Sequence, residues 1–403
     1  MKLELGEYRP DGPSSPQLAP QPSTNKLAGG TSGTLAGGVD SSVTAALLVE
    51  QGFDVIGITL QLYDYGKAVQ KKGACCAGSD INDARQVATQ LDIPHYVLDY
   101  ESKFKDQVID DFADEYLAGR TPIPCVKCNQ TVKFTDLFKM AKDLKADALA
   151  TGHYVQRVIG KNGAELHTGV DKEKDQSYFL FATTKNQLEF LRFPLGAMNK
   201  NETRKIAEKF NLNVKNKPDS QDICFVPNGK YSDVVRRLRP GSIEPGNIIY
   251  LDGSVLGSHN GIIDYTIGQR RGLGIGGVSD LDEERLYVVD INVLTNHVIV
   301  GPKEALNVDE IHLKDMNWID NCFPTSKNIL VKLRNTGNLI EADLKILDGK
   351  IILYPKELAD GVSPGQAAVI YDKDDKNHVL GGGWIVSTTS NFLKKYSSSS
   401  SAA

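Results

Sequence analysis

Ala36-Gly37-Gly38-Val39-Asp40-Ser41-Ser42 opens the first strongly patterned helix of the chain, with Val43, Ala46 and Leu47 as its apolar stripe and Gly52 placed to stop it. Two glycines let a backbone approach an anion closely, the amides at a helix start point at it, and the serine hydroxyls add donors. Together these suit a phosphate. An ordinary glycine turn with a serine cap would look the same over seven residues. A Walker loop is excluded, because no Gly-Lys-Ser or Gly-Lys-Thr closes the stretch.

Beyond this helix, strand and helix patterns alternate. Val55 to Leu62 is an apolar run rich in β-branched residues, Ile81, Ala84, Val87, Ala88 and Leu91 form a helical stripe, and His95 to Tyr100 reads as a short strand. Phe104, Val108, Phe112 and Tyr116 make the next stripe, and Phe134, Leu137, Phe138, Ala141 and Leu144 another, before a strand at Ala148 to Thr151. This alternation predicts an α/β domain, a Rossmann-like parallel sheet with helices on both faces and its ligand beyond the carboxyl ends of the strands. After about residue 222 the pattern changes to short strands at Asn247 to Leu251, Gly261 to Thr266 and Leu286 to Ile291. Ile329 to Leu333, Leu339 to Ile346, Lys350 to Tyr354 and Ala367 to Tyr371 then predict a small antiparallel β-barrel. The expected organisation is a disordered, proline-rich extension (1–30), the α/β catalytic domain (31–222), a small mixed central domain (223–304), the barrel (305–388) and a disordered tail (389–403).

Apolar residues make up 40% and charged residues 24% of the 403, which excludes a disordered or fibrous chain. No membrane-length apolar run or secretory signal is seen, so no membrane association and a cytoplasmic location are expected. Six cysteines are too sparse for a disulfide scaffold. The net charge of -5 argues against a wholly basic nucleic-acid binder, yet residues 200–240 carry ten Lys or Arg against five Asp or Glu, a local balance of 10 - 5 = +5. A solvated helix face explains that balance as well as RNA does.

Thr121-Pro122-Ile123-Pro124-Cys125-Val126-Lys127-Cys128-Asn129 holds a Cys-x-x-Cys pair whose readings are a zinc ligand set, an iron-sulfur ligand set, a redox dithiol, or two buried thiols. Lys127 and Lys133 flank Cys128 and favour its thiolate. Cys224, in Lys217-Pro218-Asp219-Ser220-Gln221-Asp222-Ile223-Cys224-Phe225, reads by itself as a core cysteine.

The glycine-rich opening resembles the PP-loop of ATP pyrophosphatases. With Cys75-Cys76, the Cys-x-x-Cys segment, Ala150-Thr151-Gly152-His153-Tyr154, Lys174-Asp175-Gln176-Ser177-Tyr178, the Cys224 segment, Tyr265-Thr266-Ile267-Gly268-Gln269-Arg270-Arg271-Gly272-Leu273-Gly274 and Ser363-Pro364-Gly365-Gln366-Ala367, it follows the motif order of the MnmA/TrmU family of tRNA-uridine 2-sulfurtransferases over roughly residues 35–385. The resemblance implies a PP-loop ATP pyrophosphatase domain and ATP-dependent 2-thiolation of the wobble uridine of tRNAs for Lys, Glu and Gln. It makes Cys128 the nucleophile and Cys224 the persulfide carrier, loaded by a sulfur-donor protein. ATP contacts are implied at Thr34, Leu35, Ala36, Gly37, Gly38, Val39, Asp40, Ser41, Leu60 and Gly152, with Mg2+ expected beside the phosphates. Transfer-RNA contacts are implied at Ile123, Pro124, Cys125, His153, Lys174, Asp175, Gln176, Arg334, Asn335 and Gln366.

The chain departs from the family pattern in three places. Leu27 to Ala36 is glycine-rich where an apolar first strand ending in Ser is usual, Ile123 stands where Asn is common, and Cys125 stands where some members have Asp. A glycine-rich stretch is expected to make a poor central strand, and Ala36 removes a hydroxyl from the phosphate cradle. Three further readings remain open: the same thiolation through a [4Fe-4S] cluster held by Cys125, Cys128 and Cys224, an amide-forming ligase on the PP-loop fold, and a catalytically inactive tRNA-binding protein, which the glycine-rich first strand and Ala36 leave open.

Overall fold

The computed structural model describes residues 26–30, 38–62, 76–219, 223–226, 230–275, 285–320 and 328–394. Five parallel strands, β1 (Lys26–Gly30), β2 (Asp54–Gln61), β3 (His95–Asp99), β4 (Ala148–Ala150) and β7 (Leu191–Arg192), form a sheet in the order β3-β2-β1-β4-β7. Residues 26–30, expected in the disordered extension, supply its middle strand, with Leu27 paired to Val55 on one side and to Ala148 on the other. The glycine-rich composition misled because a strand between two neighbours has its backbone groups satisfied on both edges whatever its side chains.

The period-two alternation of β2 divides the sheet faces. Val55 packs with Leu48 of helix α1 (Val39–Glu50), while Ile58 and Leu60 join the opposite core, shared with Phe104, Phe112, Val132 and Phe134. On α1 itself, Val43 is fully buried and Leu47 nearly so, and each such side chain contributes about 1.5–3 kcal/mol of apolar burial. Helix α2 (Cys76–Gln90) occupies the stripe expected from residues 81–91. The other two stripes are helical as expected, but both contain wider π-helical stretches, at Lys105–Ile109 and Cys128–Leu137. These stretches have no signature in the apolar pattern.

The hairpin β5 (Val155–Gly160) and β6 (Gly163–Thr168), unforeseen in the sequence, leaves the parallel sheet and joins the barrel. The central unit is a four-stranded sheet of β8 (Gly246–Tyr250), β9 (Val255–His259), β10 (Tyr287–Asn292) and β11 (His297–Gly301), ordered β10-β11-β8-β9. Residues 261–266, expected as a strand, contain instead a 3-10 turn at Ile262–Asp264. Ile262 and Ile263 are both buried, which a strand with one wet face cannot achieve for neighbours.

A short antiparallel pair joins β12 (Asn307–Val308), just before the barrel in sequence, to β17 (Ala359–Asp360), which falls between two of its strands. The barrel comprises β13 (Glu310–Trp318), β14 (Asn328–Lys332), β15 (Ile340–Leu347), β16 (Lys350–Pro355), β18 (Ala367–Tyr371) and β19 (His378–Thr389), closed by β13 pairing with β19. All four barrel strands read from sequence are present. The α/β domain, mixed central unit and antiparallel barrel therefore stand as expected. Among the described residues no helix is long and apolar enough to cross a membrane.

Candidate active site

Thr34, Leu35, Ala36 and Gly37 lie outside the described residues, and the nucleotide corner is built from Gly38 onward. Gly38 caps α1 in an extended conformation (φ -83, ψ 154) and brings no side chain to the helix start. Ser41 and Ser42 turn their hydroxyls back to the Gly38 carbonyl, at 3.2 and 2.9 Å, leaving the first-turn amides as the anion donors. Gly152, just beyond β4, lies flush against this turn: a Cβ there would fall 2.9 Å from the Asp40 carbonyl carbon and 3.0 Å from the Ser41 nitrogen. Its glycine is therefore required by packing against the loop. Leu60 is buried on the opposite sheet face, so only its backbone can face a ligand.

Asp40 is held on two sides. Its Oδ1 accepts from the Tyr154 hydroxyl at 2.8 Å, and Lys200 Nζ donates to both carboxylate oxygens at 2.8 and 2.9 Å. The same ammonium reaches Asp219 Oδ1 at 2.8 Å, and Asp219 also pairs with Lys174 at 2.8 Å and Arg204 at 3.1 Å. Burial raises the Asp219 pKa, but the hydrogen bonds from Lys174 and Lys200 outweigh it and hold the carboxyl at about 2. Lys200 thus joins the phosphate loop to the segment that carries Cys224. The sequence around it shows only a capping box, Asn199 with Glu202, at a helix start.

The cysteine corner begins with Pro124 at the first turn of a short helix, Pro124–Lys127, that runs into the π-helix Cys128–Leu137. Residues four and five apart share a face in that wider helix, which sets Lys133 over Cys128 and Asn129. Cys128 is 5% and Lys133 6% exposed. Lys133 Nζ donates to Asn129 Oδ1 at 2.9 Å, Asn129 Nδ2 donates to the Phe179 carbonyl at 3.2 Å, and no carboxylate pairs with Lys133 among the described residues. Cys224, half-buried, packs on the same core as Cys128, and its thiol is pushed up first by burial and then by Cys128 and Cys125. Burial likewise raises the Cys128 thiol, opposed by Lys133. The flanking lysines therefore do not produce a resting thiolate. Burial outweighs Lys133, and Lys127 turns away toward Asp111 (3.7 Å) and the Trp384 ring (5.8 Å).

Several residues assigned to tRNA serve as internal joints here. His153 is 4% exposed, its Nδ1 lies 2.9 Å from the Thr151 hydroxyl, and burial, with Lys133, holds its pKa well below the usual histidine value. Asp175 accepts from the Gly169 and Ser177 amides and the Ser177 hydroxyl, and Gln176 Oε1 accepts from the Tyr154 amide. Gln366 Nε2 donates to the Thr121 carbonyl at 2.9 Å, Thr121 N donates to the Pro364 carbonyl at 2.8 Å, and the Thr121 and Ser363 hydroxyls meet at 2.8 Å. The barrel thus grips the residue that leads into Ile123 and Pro124, both buried, and the exposed Cys125. Arg334, half-buried, lays its guanidinium over Gly268 and Gly361; Asn335 is also half-buried.

The local positive balance of residues 200–240 is largely neutralised in space. Lys200, Arg204, Lys217, Arg236 and Arg239 all pair with aspartates, most of them from other segments. Arg270 and Arg271 are exposed instead.

Residues 32–228 match the family model described as tRNA methyl transferase HUP domain, residues 233–302 the tRNA methyl transferase PRC-barrel domain, and residues 308–385 the Aminomethyltransferase beta-barrel domain. Fold and site thus define a HUP-domain protein followed by a PRC-barrel-like middle domain and a C-terminal β-barrel. A protein of Rhodospirillum centenum named tRNA-specific 2-thiouridylase MnmA is 58% identical over 356 residues, covering 87% of this chain and 90% of that protein. Proteins of the same name from Maricaulis maris and Rickettsia bellii are each 57% identical, covering 88% and 87% of this chain and 87% and 94% of their own. The chain belongs to the MnmA family of tRNA-specific 2-thiouridylases.

Proposed function

We propose that the chain is a cytoplasmic sulfurtransferase that replaces the C2 oxygen of the wobble uridine in tRNAs for Lys, Glu and Gln with sulfur, splitting ATP to AMP and pyrophosphate. The observation that carries this reading is that Cys128 and Cys224, almost a hundred residues apart, pack on one core and act on each other electrostatically in a domain that also has a glycine-capped helix start at Gly38 to Ser41.

The C2 oxygen is a poor leaving group, and its attack on the α-phosphorus of ATP expels pyrophosphate and converts it to AMP. Amides at the start of α1 bind the phosphates, and Gly152 lets the loop close on them. A persulfide on Cys224, loaded by a donor protein, attacks C2 through its outer sulfur and displaces AMP. Cys128 then attacks the Cys224 sulfur, leaving thiolate on the base and a Cys128 to Cys224 disulfide that a cellular dithiol reduces. Lys133 is the cation beside the Cys128 sulfur as it ionises. Asp40, a carboxylate at the phosphate loop of the oxygen type magnesium prefers, would hold that ion against the phosphates by giving up part of its bonding to Lys200, and the ion would neutralise charge on the departing pyrophosphate.

For an iron-sulfur cluster, Cys125, Cys128 and Cys224 lie in one another's field and are ligands of the right kind. Cys125 is exposed as a residue, although burial raises its thiol as it does those of Cys128 and Cys224, and the relay needs only the last two. Mass spectrometry of tRNA nucleosides after incubation with ATP, magnesium and a persulfide source tests the reading. Cys128→Ser and Cys224→Ser each eliminate 2-thiouridine, and Cys125→Ser retains most of it. Equal loss in all three, together with iron in anaerobically purified protein, overturns the relay.

A further inference from the structure

The hairpin β5–β6 and the barrel strand β19 meet in antiparallel register, His378 opposite His167 and Val379 opposite Leu166. Side chains two apart on a strand share a face, so Glu165 and His167 of β6 project on one side, and His378 projects beside them from the neighbouring strand. Two ligands at i and i+2 with a third across the ladder is an arrangement from which a β-sheet can present three donors to one ion. One donor atom from each of Glu165, His167 and His378 lies within 4.8 Å of the others.

The local contacts set two histidines against two carboxylates. Glu165 Oε2 stands 3.0 Å from His167 Nε2, and Asp375 Oδ2 stands 3.7 Å from His167 Nδ1. The His167 and His378 rings stack with centroids 4.9 Å apart and planes at 7°. His378 Nε2 is buried with no hydrogen-bond partner among the described residues. The pairing of His167 with two carboxylates accounts for Glu165 and Asp375, yet it leaves His378 Nε2 without a partner among the described residues. A cation between the three donors satisfies all of them. Lys172, the nearby ammonium, is engaged with Thr168 Oγ1 at 2.6 Å and Asn377 Oδ1 at 2.9 Å and leaves the Glu165 carboxylate to another partner. Gly160 of β5 also makes room for that carboxylate, which lies where a Cβ at this position would project.

We propose that Glu165, His167 and His378 form a site for a divalent cation of the zinc class, which pins the β5–β6 hairpin to the barrel. Two imidazoles and one carboxylate select zinc, cobalt or nickel over magnesium or calcium, which prefer all-oxygen shells. Zinc bonds of about 2.0–2.2 Å bring tetrahedral donors to roughly 3.4 Å from one another, so rotation of the His378 ring out of its stack closes the shell, with water as the fourth ligand. Asp375 then accepts from His167 Nδ1 and fixes Nε2 as the ligating nitrogen. The clamp lies immediately before the loop holding Lys174, Asp175 and Gln176, and it joins two parts of the chain that are about two hundred residues apart.

The test uses the full chain, stripped with chelator and with its thiols blocked by N-ethylmaleimide so that cysteines cannot take the metal. Zinc chloride is titrated by calorimetry, with magnesium chloride as control, and cobalt absorption in the visible reports coordination. We expect about one equivalent of zinc, a tetrahedral cobalt band and a zinc-dependent rise in the unfolding midpoint. His378→Ala and Glu165→Gln each weaken binding by more than 100-fold, and Asp375→Asn weakens it by about 10- to 100-fold, the usual effect of an outer-sphere partner. His378→Asn, which keeps a polar side chain at the seam, provides a folded control if His378→Ala does not fold. The absence of zinc binding to the wild type, or zinc binding undiminished in His378→Asn and Glu165→Gln, overturns the proposal.

Discussion

Lys200→Met tests whether one ammonium fastens the phosphate loop to the Cys224 segment. Methionine keeps the length and apolar stem of the side chain and removes only the charge. In the wild type that charge bonds both oxygens of Asp40 at 2.8 and 2.9 Å and Asp219 at 2.8 Å from a side chain 11% exposed, with the aspartates 33% and 20% exposed. Exposed pairs are worth about 0–1 kcal/mol and breaking a buried pair costs about 3–5 kcal/mol, so this half-buried bridge falls between them. The loss is uneven. Asp219 retains Lys174 and Arg204, whereas among the described residues Asp40 retains the Tyr154 hydroxyl alone. We expect about 1.5–2.5 kcal/mol at the start of α1 and under about 1 kcal/mol at Asp219, by the value of a charge-assisted hydrogen bond. Hydrogen exchange read by mass spectrometry resolves this locally: amides of residues 41–50 exchange roughly 10- to 60-fold faster in Lys200→Met, since about 1.4 kcal/mol of opening free energy is a factor of ten. Exchange at α1 within twofold of wild type would refute the argument that Lys200 fastens the loop. Acceleration at 41–50 without any change around 215–219 would confine the fastening to Asp40.

Gly152→Ala places a methyl against the Asp40 and Ser41 backbone, and ATP binding by calorimetry falls at least tenfold while the far-ultraviolet spectrum stays unchanged; wild-type affinity would mean the loop has room to spare. Lys133→Gln removes the cation opposing burial at Cys128, so the pH midpoint of Cys128 alkylation rises, and Lys133→Arg restores it in part; an unmoved midpoint would show that the charge does not reach the sulfur. The Asp219 carboxyl lies at about 2 in the folded chain against an ordinary 3.8, so its contribution is fully present above about pH 4 and disappears as pH falls through 2. The stability gap between wild type and Asp219→Asn should be about 1–2 kcal/mol at neutral pH after allowance for solvent screening, and a gap that widened below pH 4 would contradict this sign. Charge reversal at Arg270 or Arg271 weakens tRNA binding and lessens its salt dependence without changing ATP affinity; an unchanged salt slope would place the RNA surface elsewhere.

Local periodicity was enough for the helix at 81–91, the barrel strands at 329–333 and 367–371, and the alternation of strand and helix that predicts a parallel sheet, because each depends on which neighbours three, four or two residues away are apolar. Glycine spacing was likewise enough for the helix start at Gly38. Where residues meet only across the fold, sequence was silent or misleading. The glycine-rich 26–30 became a central strand because β2 and β4 satisfy its backbone from both sides. Charge counted along 200–240 suggested a basic face, yet aspartates from other segments neutralise much of it. His153, Asp175, Gln176 and Gln366, matched by motif to RNA, also make hydrogen bonds within the molecule, which a motif does not record because it preserves residue type and not which way a side chain points. The sequence by itself determined the order of elements and the presence of two distant cysteines in suggestive surroundings. Only the tertiary structure decided that Cys128 and Cys224 share a core, that burial outweighs Lys133 there, and that Lys200 spans Asp40 and Asp219. The physical reason is that desolvation and Coulomb interactions depend on distance in space, and separation along the chain carries little of that distance.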